Sequence, residues 1–140
     1  MSVPNEVNAS CLCNAVQIKV AEMSRHVGAC HCEMCRKWGG SALMAVDCGT
    51  GVSFLGEEHI TLFDSSAWAE RGFCNKCGSH LFYRLKENQQ YMIPAGLFTD
   101  QQTLVFDHQV FIDKKPSYYN FAEVTEDMTE AEVFAKYGGY

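Results

Sequence analysis

Apolar and polar residues alternate at period two from Ala15 to Val20, with Val16, Ile18 and Val20 on one side and Gln17 and Lys19 on the other. This is the pattern of a strand with one buried face, so the three aliphatic residues are expected in the core. Upstream, residues 1 to 10 are polar and are expected to fray, with order beginning near Ser10. Downstream, His26 to Ala29 reads as a short extended lead and Glu33 to Trp38 as a short helix that Gly39 and Gly40 stop. Ser41 to Val46 reads as strand again. Val52 to Leu55, His59 to Phe63 and Ala67 to Phe73 are short extended runs separated by Gly, Asp and Ser, the spacing of an antiparallel meander.

The same reading continues through His80 to Lys86, Tyr91 to Ala95, Thr103 to Phe106 and Gln109 to Ile112, before Lys115, Pro116 and Ser117 force a turn. Pro94 marks its strand as an edge or an irregular one, because proline cannot donate to a ladder. Only the C-terminus carries a clear helix signature, with Thr129 as N-cap, Glu132 completing a capping box and Gly138 as the stop. The pattern predicts one mostly-β domain over residues 1–140 with a short C-terminal helix, and neither a repeat nor a linker divides it.

Charge narrows the partners. Eleven basic against 17 acidic residues give a net charge of −6, which disfavours nucleic acid and anionic membranes, both of which reward a basic surface. A small-molecule substrate fits better. The start of the chain has no basic leader followed by an apolar run, and no stretch approaches the roughly 20 apolar residues of a membrane span, so the expected location is cytoplasmic. The sequence does not specify an oligomeric state.

Cysteine changes the picture most. Eight of 140 residues, about 6%, is short of the roughly 8 to 10% of a small disulfide scaffold, and seven of the eight fall at metal-ligand spacings. Cys11/Cys13 and Cys74/Cys77 are two compact turns, each able to present two sulfurs to one ion, and together they make a four-thiolate zinc site that staples distant parts of the chain. Asn75, Lys76 and Gly78 make the second pair a tight knuckle between strands, with Gly78 supplying a positive φ.

Cys30, Cys32 and Cys35 are the remaining three. Cys30 and Cys32 point to one side of an extended segment and the turn brings Cys35 back, which aims His31 away from the ion, either to support a ligand from behind or to lie at the surface. Three thiolates on Zn²⁺ leave a fourth position. Either water or a substrate thiol takes it and the site is reactive, or Cys48 closes it as a second structural site. Arg36 and Lys37 follow the trio and are candidates to offset its formal charge of +2 − 3 = −1. No acid or base can be named from sequence.

The stretches Ser10-Cys-Leu-Cys-Asn-Ala-Val, Cys30-His-Cys-Glu-Met-Cys-Arg-Lys and Gly72-Phe-Cys-Asn-Lys-Cys-Gly-Ser together resemble the glutathione-dependent formaldehyde-activating enzyme family. The similarity runs from about residue 10 to about residue 122, with weaker matches at Gly96-Leu-Phe, His108-Gln-Val-Phe and Lys115-Pro-Ser-Tyr-Tyr. It implies stacked antiparallel β-sheets in a β-tent arrangement, a structural zinc at Cys11, Cys13, Cys74 and Cys77, and a second, candidate catalytic zinc at Cys30, Cys32 and Cys35. It also implies a carbon–sulfur lyase resembling S-(hydroxymethyl)glutathione synthase, acting on a small thiol such as glutathione and an aldehyde such as formaldehyde. Asn14 stands where the family usually has Gly, and Asn tolerates the left-handed backbone such a turn uses. Two other classes compete: a zinc-stapled binding or structural module without chemistry, and a thiol redox or metal sensor that releases zinc on oxidation.

Overall fold

Val16, Ile18 and Val20 are fully buried, and the alternation that predicts a strand is realised over Gln17–Val20. The computed structural model of the chain describes residues 6–137. In chain order the elements are β1 (Val7–Ser10), β2 (Gln17–Val20), β3 (His26–Cys30), α1 (Glu33–Gly39), β4 (Leu43–Asp47), β5 (Val52–Leu55) and β6 (Ile60–Phe63). They are followed by β7 (Ala69–Cys74), β8 (His80–Leu85), β9 (Tyr91–Pro94), β10 (Val105–Val110), β11 (Glu126–Met128) and α2 (Glu130–Tyr137), with short 3-10 turns between. The predicted mostly-β class with a short C-terminal helix is what the described residues form. None of their helices is long and apolar enough to cross a membrane.

The strands make two sheets, a three-stranded one ordered β1-β2-β5 and an eight-stranded one ordered β11-β10-β3-β4-β9-β8-β7-β6. One hydrophobic core draws on both: Ala9, Ile18 and Val20 from the smaller sheet, with Val16 just before β2, meet Val46, Leu81, Phe82 and Ile93 from the larger. Phe54 of β5 lies 5.5 Å from Phe82 and 5.8 Å from Tyr91, centroid to centroid, so aromatic contacts also join the sheets.

Four expectations are corrected. Residues 7–10 are not frayed: Val7 to Ser10 pairs antiparallel with Gln17 to Val20, because Ala9 reaches the core and only pairing satisfies the backbone there. β9 is an interior strand between β4 and β8, and Pro94 is tolerated as its last residue, where the chain turns into a 3-10 turn. The two runs around residues 103–112 are one strand, β10, broken in register between Phe106 and His108. The intervening Asp107 accepts hydrogen bonds from Nδ1 of His26 at 2.5 Å and Nδ1 of His108 at 2.8 Å, and these imidazoles hold its carboxyl below the usual range. Lastly, β10 runs parallel to both β3 and β11, so the larger sheet is antiparallel except at that end.

The capping box forms: the Glu132 N–H donates to Thr129 Oγ1 at 3.2 Å and the Thr129 N–H to Glu132 Oε1 at 3.0 Å. The expected stop at Gly138 lies outside the described residues.

Gly56 seats the β1–β2 turn against the chain that follows β5. Its φ is +87°, and a Cβ there would lie 1.9 Å from the Ala15 carbonyl oxygen. Left-handed strain and overlap with backbone act together, so Gly56→Ala should lose about 2–5 kcal/mol, read as a lower midpoint in urea unfolding at constant slope. An unchanged midpoint would show that this turn yields freely.

Candidate metal centres

Both cysteine groups assemble in space. The Sγ atoms of Cys11, Cys13, Cys74 and Cys77 lie within 4.8 Å of one another, and so do those of Cys30, Cys32 and Cys35. All eight cysteines are free thiols.

The first group joins the two sheets. Cys11 and Cys13 occupy the turn after β1, which closes with the Cys11 N–H donating to the Val16 carbonyl at 3.1 Å and Asn14 at φ 66°, the left-handed conformation expected of it. Cys74 and Cys77 occupy the β7–β8 turn, closed by the Gly78 N–H donating to the Cys74 carbonyl at 2.7 Å, with Gly78 at φ 80°. The Leu12 N–H donates across to Ser79 Oγ at 3.1 Å, so the two turns touch directly. Further N–H and hydroxyl groups face the sulfurs: Val16 N is 3.3 Å from Cys11 Sγ, and Ser79 Oγ is 3.2 Å from Cys77 Sγ. Hydrogen bonds from the Ser79 hydroxyl and backbone pull the Cys77 thiol down to about 5. The Cys11–Cys13 and Cys13–Cys74 sulfur separations are 3.7 Å and 3.8 Å. A tetrahedral Zn²⁺ with Zn–S bonds of about 2.3 Å sets its sulfurs about 3.8 Å apart, so the donor set fits that ion.

The second group is built by the end of β3 and the start of α1. Cys30 ends the strand and Cys32 is the helix N-cap, its Sγ accepting from the Cys35 N–H at 3.3 Å. Cys35, buried to 4% exposure, is therefore one turn along. The crowded thiols share charge: hydrogen bonds from Cys30 and Cys35 hold Cys32 as thiolate, while the same contact with Cys32 pushes Cys30 strongly up. Three sulfurs this close cannot all ionise without a cation among them, and a divalent ion relieves that conflict. No fourth Cys, His, Asp or Glu donor among the described residues joins this trio.

Cys48 does not close it. Its thiol is fully buried in the apolar core, donates to the Val46 carbonyl at 3.6 Å, and is pushed up to about 12 by burial and the adjacent Asp47. His31 points away from the trio as expected, but it is fully buried rather than at the surface. Its Nε2 lies 2.7 Å from Gln109 Oε1 and its Nδ1 2.7 Å from Tyr119 Oη. An amide oxygen only accepts, so His31 carries its proton on Nε2 and the Tyr119 hydroxyl donates to Nδ1. Burial lowers the His31 pKa and keeps the imidazole neutral in this role, bracing the loop between Cys30 and Cys32.

The cation at the trio is neither Arg36 nor Lys37. Arg36 Nε donates to the His31 carbonyl at 2.9 Å, and exposed Lys37 pairs with Glu33 at 3.2 Å. Arg71 of β7, only 2% exposed, instead donates from Nη2 to Cys35 Sγ at 3.5 Å. Sequence reasoning missed it. The only available signal was an arginine in a strand leading straight into Cys74, and nothing local tells where such a side chain points.

Comparison with known proteins shows the family and the fold. The family model described as glutathione-dependent formaldehyde-activating enzyme matches residues 6–114. A Schizosaccharomyces pombe protein described as an uncharacterized lyase is 38% identical over 129 residues, covering 91% of this chain and 94% of the relative. A crystal structure of a Rhodobacter sphaeroides protein superposes with a TM-score of 0.57 at 21% identity, covering 87% of this chain and 99% of that one, a likeness of fold.

Proposed function

The chain belongs to the glutathione-dependent formaldehyde-activating enzyme family, and from that premise we propose that it is a carbon–sulfur lyase which joins a small thiol to an aldehyde and cleaves the adduct. The coarser part of this reading, a lyase-type enzyme, follows from the family together with the lyase-named relative. The finer part names glutathione as the thiol, formaldehyde as the aldehyde and zinc as the metal, two ions per chain. Cys11, Cys13, Cys74 and Cys77 would hold the structural ion, and Cys30, Cys32 and Cys35 the working one. Thiolate ligands suit a reducing compartment, so the reading is of a cytoplasmic enzyme.

The observation that carries it is the trio of sulfurs with no fourth protein donor beside them. Bound there, Zn²⁺ supplies a Lewis-acid position for one more ligand, at which a thiol of pKa about 8.5 is kept as thiolate at neutral pH. The chain's own residues prepare that position. Cys32 caps α1 and so sets the spacing to Cys35, while the neutral His31, held between Gln109 and Tyr119, keeps Cys30 and Cys32 from swinging apart. Arg71, hydrogen-bonded to Cys35 Sγ, offsets the charge of three thiolates. The thiol sulfur attacks the aldehyde carbon, the carbonyl π pair moves to oxygen, and the proton lost from the thiol ends on that oxygen. Cleavage runs the same atoms backwards.

Native mass spectrometry of the reduced chain, with and without excess glutathione, tests this. We expect two zinc ions per chain, a glutathione adduct, and both retained in Cys48→Ala, at a stability loss of about 1 kcal/mol for the small cavity. One ion per chain, or a second ion lost with Cys48, would make the trio a structural site and remove the basis for the activity.

A further inference from the structure

Arg71 is more completely buried than any other charged side chain among the described residues, and its two terminal nitrogens meet different fates. Nη2 hydrogen-bonds Cys35 Sγ, whereas Nη1 is buried and has no hydrogen-bond partner. Leaving a charged donor unpaired in the interior costs more than leaving a neutral one unpaired, so such a group calls for a ligand. The guanidinium also lies over two rings, 5.1 Å from the Tyr83 centroid and 5.8 Å from that of Trp38, which fix its plane without using its protons.

Beside it is a cavity lined by Arg71, Trp38, Leu43, His80, Phe82, Tyr83 and Pro94, with a volume of about 10 Å³. That is room for about one water-sized group. The walls are chiefly apolar or aromatic, and burial lowers the His80 pKa, with the Arg71 charge adding to it, so His80 is a neutral neighbour. One rigid cation therefore spans from a sulfur of the cysteine trio to a largely apolar pocket with room for a single small oxygen.

We infer that Arg71 Nη1 is the donor that receives the aldehyde oxygen, which makes Arg71 an oxyanion-stabilising catalytic residue and limits the electrophile to a small, unbranched aldehyde. This rests on the thiol–aldehyde reading above. As the carbon–sulfur bond forms, the π pair of the carbonyl moves onto oxygen, and the charge appears where a charge-assisted hydrogen bond is strongest. Arg71 keeps its own protons throughout; the thiol's proton completes the hydroxyl. In cleavage, the same donor holds the developing alkoxide, the carbonyl reforms as the sulfur departs with the bonding pair, and the hydroxyl proton ends on that sulfur. The double attachment of the guanidinium explains why arginine and not lysine is needed: one nitrogen stays on Cys35 while the other serves substrate.

Arg71→Lys keeps the positive charge but offers a single nitrogen. We expect it to retain two zinc ions and the glutathione adduct, with an unchanged KM for glutathione and a kcat lower by about 10²–10³-fold, the loss found when one oxyanion donor is removed. The second measurement needs no turnover. Sodium formate, a planar one-carbon oxyanion, should shift the indole N–H signal of Trp38 in the zinc-loaded wild type, against sodium chloride at equal ionic strength, and should leave it unmoved in Arg71→Lys. A kcat within threefold of wild type would overturn the inference, as would an unshifted Trp38 signal in the wild type or the same shift in both proteins. Loss of the second zinc in Arg71→Lys would equally overturn it, since Arg71 would then only support the trio. Absence of turnover in the zinc-loaded wild type would instead defeat the thiol–aldehyde reading, and the formate titration would still decide whether Arg71 holds a small oxyanion.

Discussion

With zinc at Cys11, Cys13, Cys74 and Cys77 as proposed, stripping it should leave a chain with no cooperative unfolding transition near room temperature. The four sulfurs come from two tight turns in different sheets, and Cys13 and Cys74 are 61 residues apart in the chain. An ion that ties them closes a long loop and also aligns the β1–β2 and β7–β8 hairpins whose inner residues share the core. Structural zinc sites of this kind contribute about 10–16 kcal/mol of apparent binding energy, comparable to or larger than the 5–15 kcal/mol by which a whole domain is stable. Four mutually close thiols without the ion would also place their ionised and protonated forms in conflict. Circular dichroism melts of chelator-treated protein, verified metal-free by mass spectrometry, and of Cys74→Ser check this. A metal-free chain that still melts cooperatively within a few degrees of the loaded one would show that the core alone holds the sheets together.

Cys35→Ala should separate function from fold. It takes one of three donors from the second centre, and two thiolates with no further protein donor make a far weaker zinc site, so we expect one ion per chain instead of two. Formation of the glutathione–formaldehyde adduct should fall to the uncatalysed background. Stability should drop by about 2–4 kcal/mol and no further, because the change removes a buried thiol and leaves Arg71 Nη2 without its acceptor, while the first centre is untouched. Zinc content, steady-state rates and a thermal melt on one preparation read all three. Activity within about tenfold of wild type with the second ion gone would mean that the chemistry does not use this site.

The contrast between the two centres explains what could be read in advance. Ligands at one- and two-residue spacing are a local matter: a turn of three or four residues presents both sulfurs on one side whatever surrounds it, so the two groups are legible in the chain itself. The alternation at Val16, Ile18 and Val20 and the capping box at Thr129 and Glu132 are local in the same sense. Asn14 and Gly78 adopt the left-handed turns their residue types favour.

The rest depends on strand pairing. Arg71 reaches Cys35 across 36 residues, and His31 meets Gln109 and Tyr119 across 78 and 88, only because β7 and β10 settle where they do in the larger sheet. Shifting a strand's register by one residue would turn Arg71 to the other face, and nothing in its neighbours Glu70 and Gly72 signals which face is chosen. The parallel pairing of β10 with β3 is likewise set by what the whole sheet can bury, not by either strand's composition. Sequence alone thus determined the two cysteine groups that could hold a metal and the strands that carry them, because both arise within a few residues. Tertiary structure alone decided that Cys48 belongs to the core, that His31 is a buried brace and that Arg71 is the cation at the trio, because each depends on contacts between segments distant in the chain.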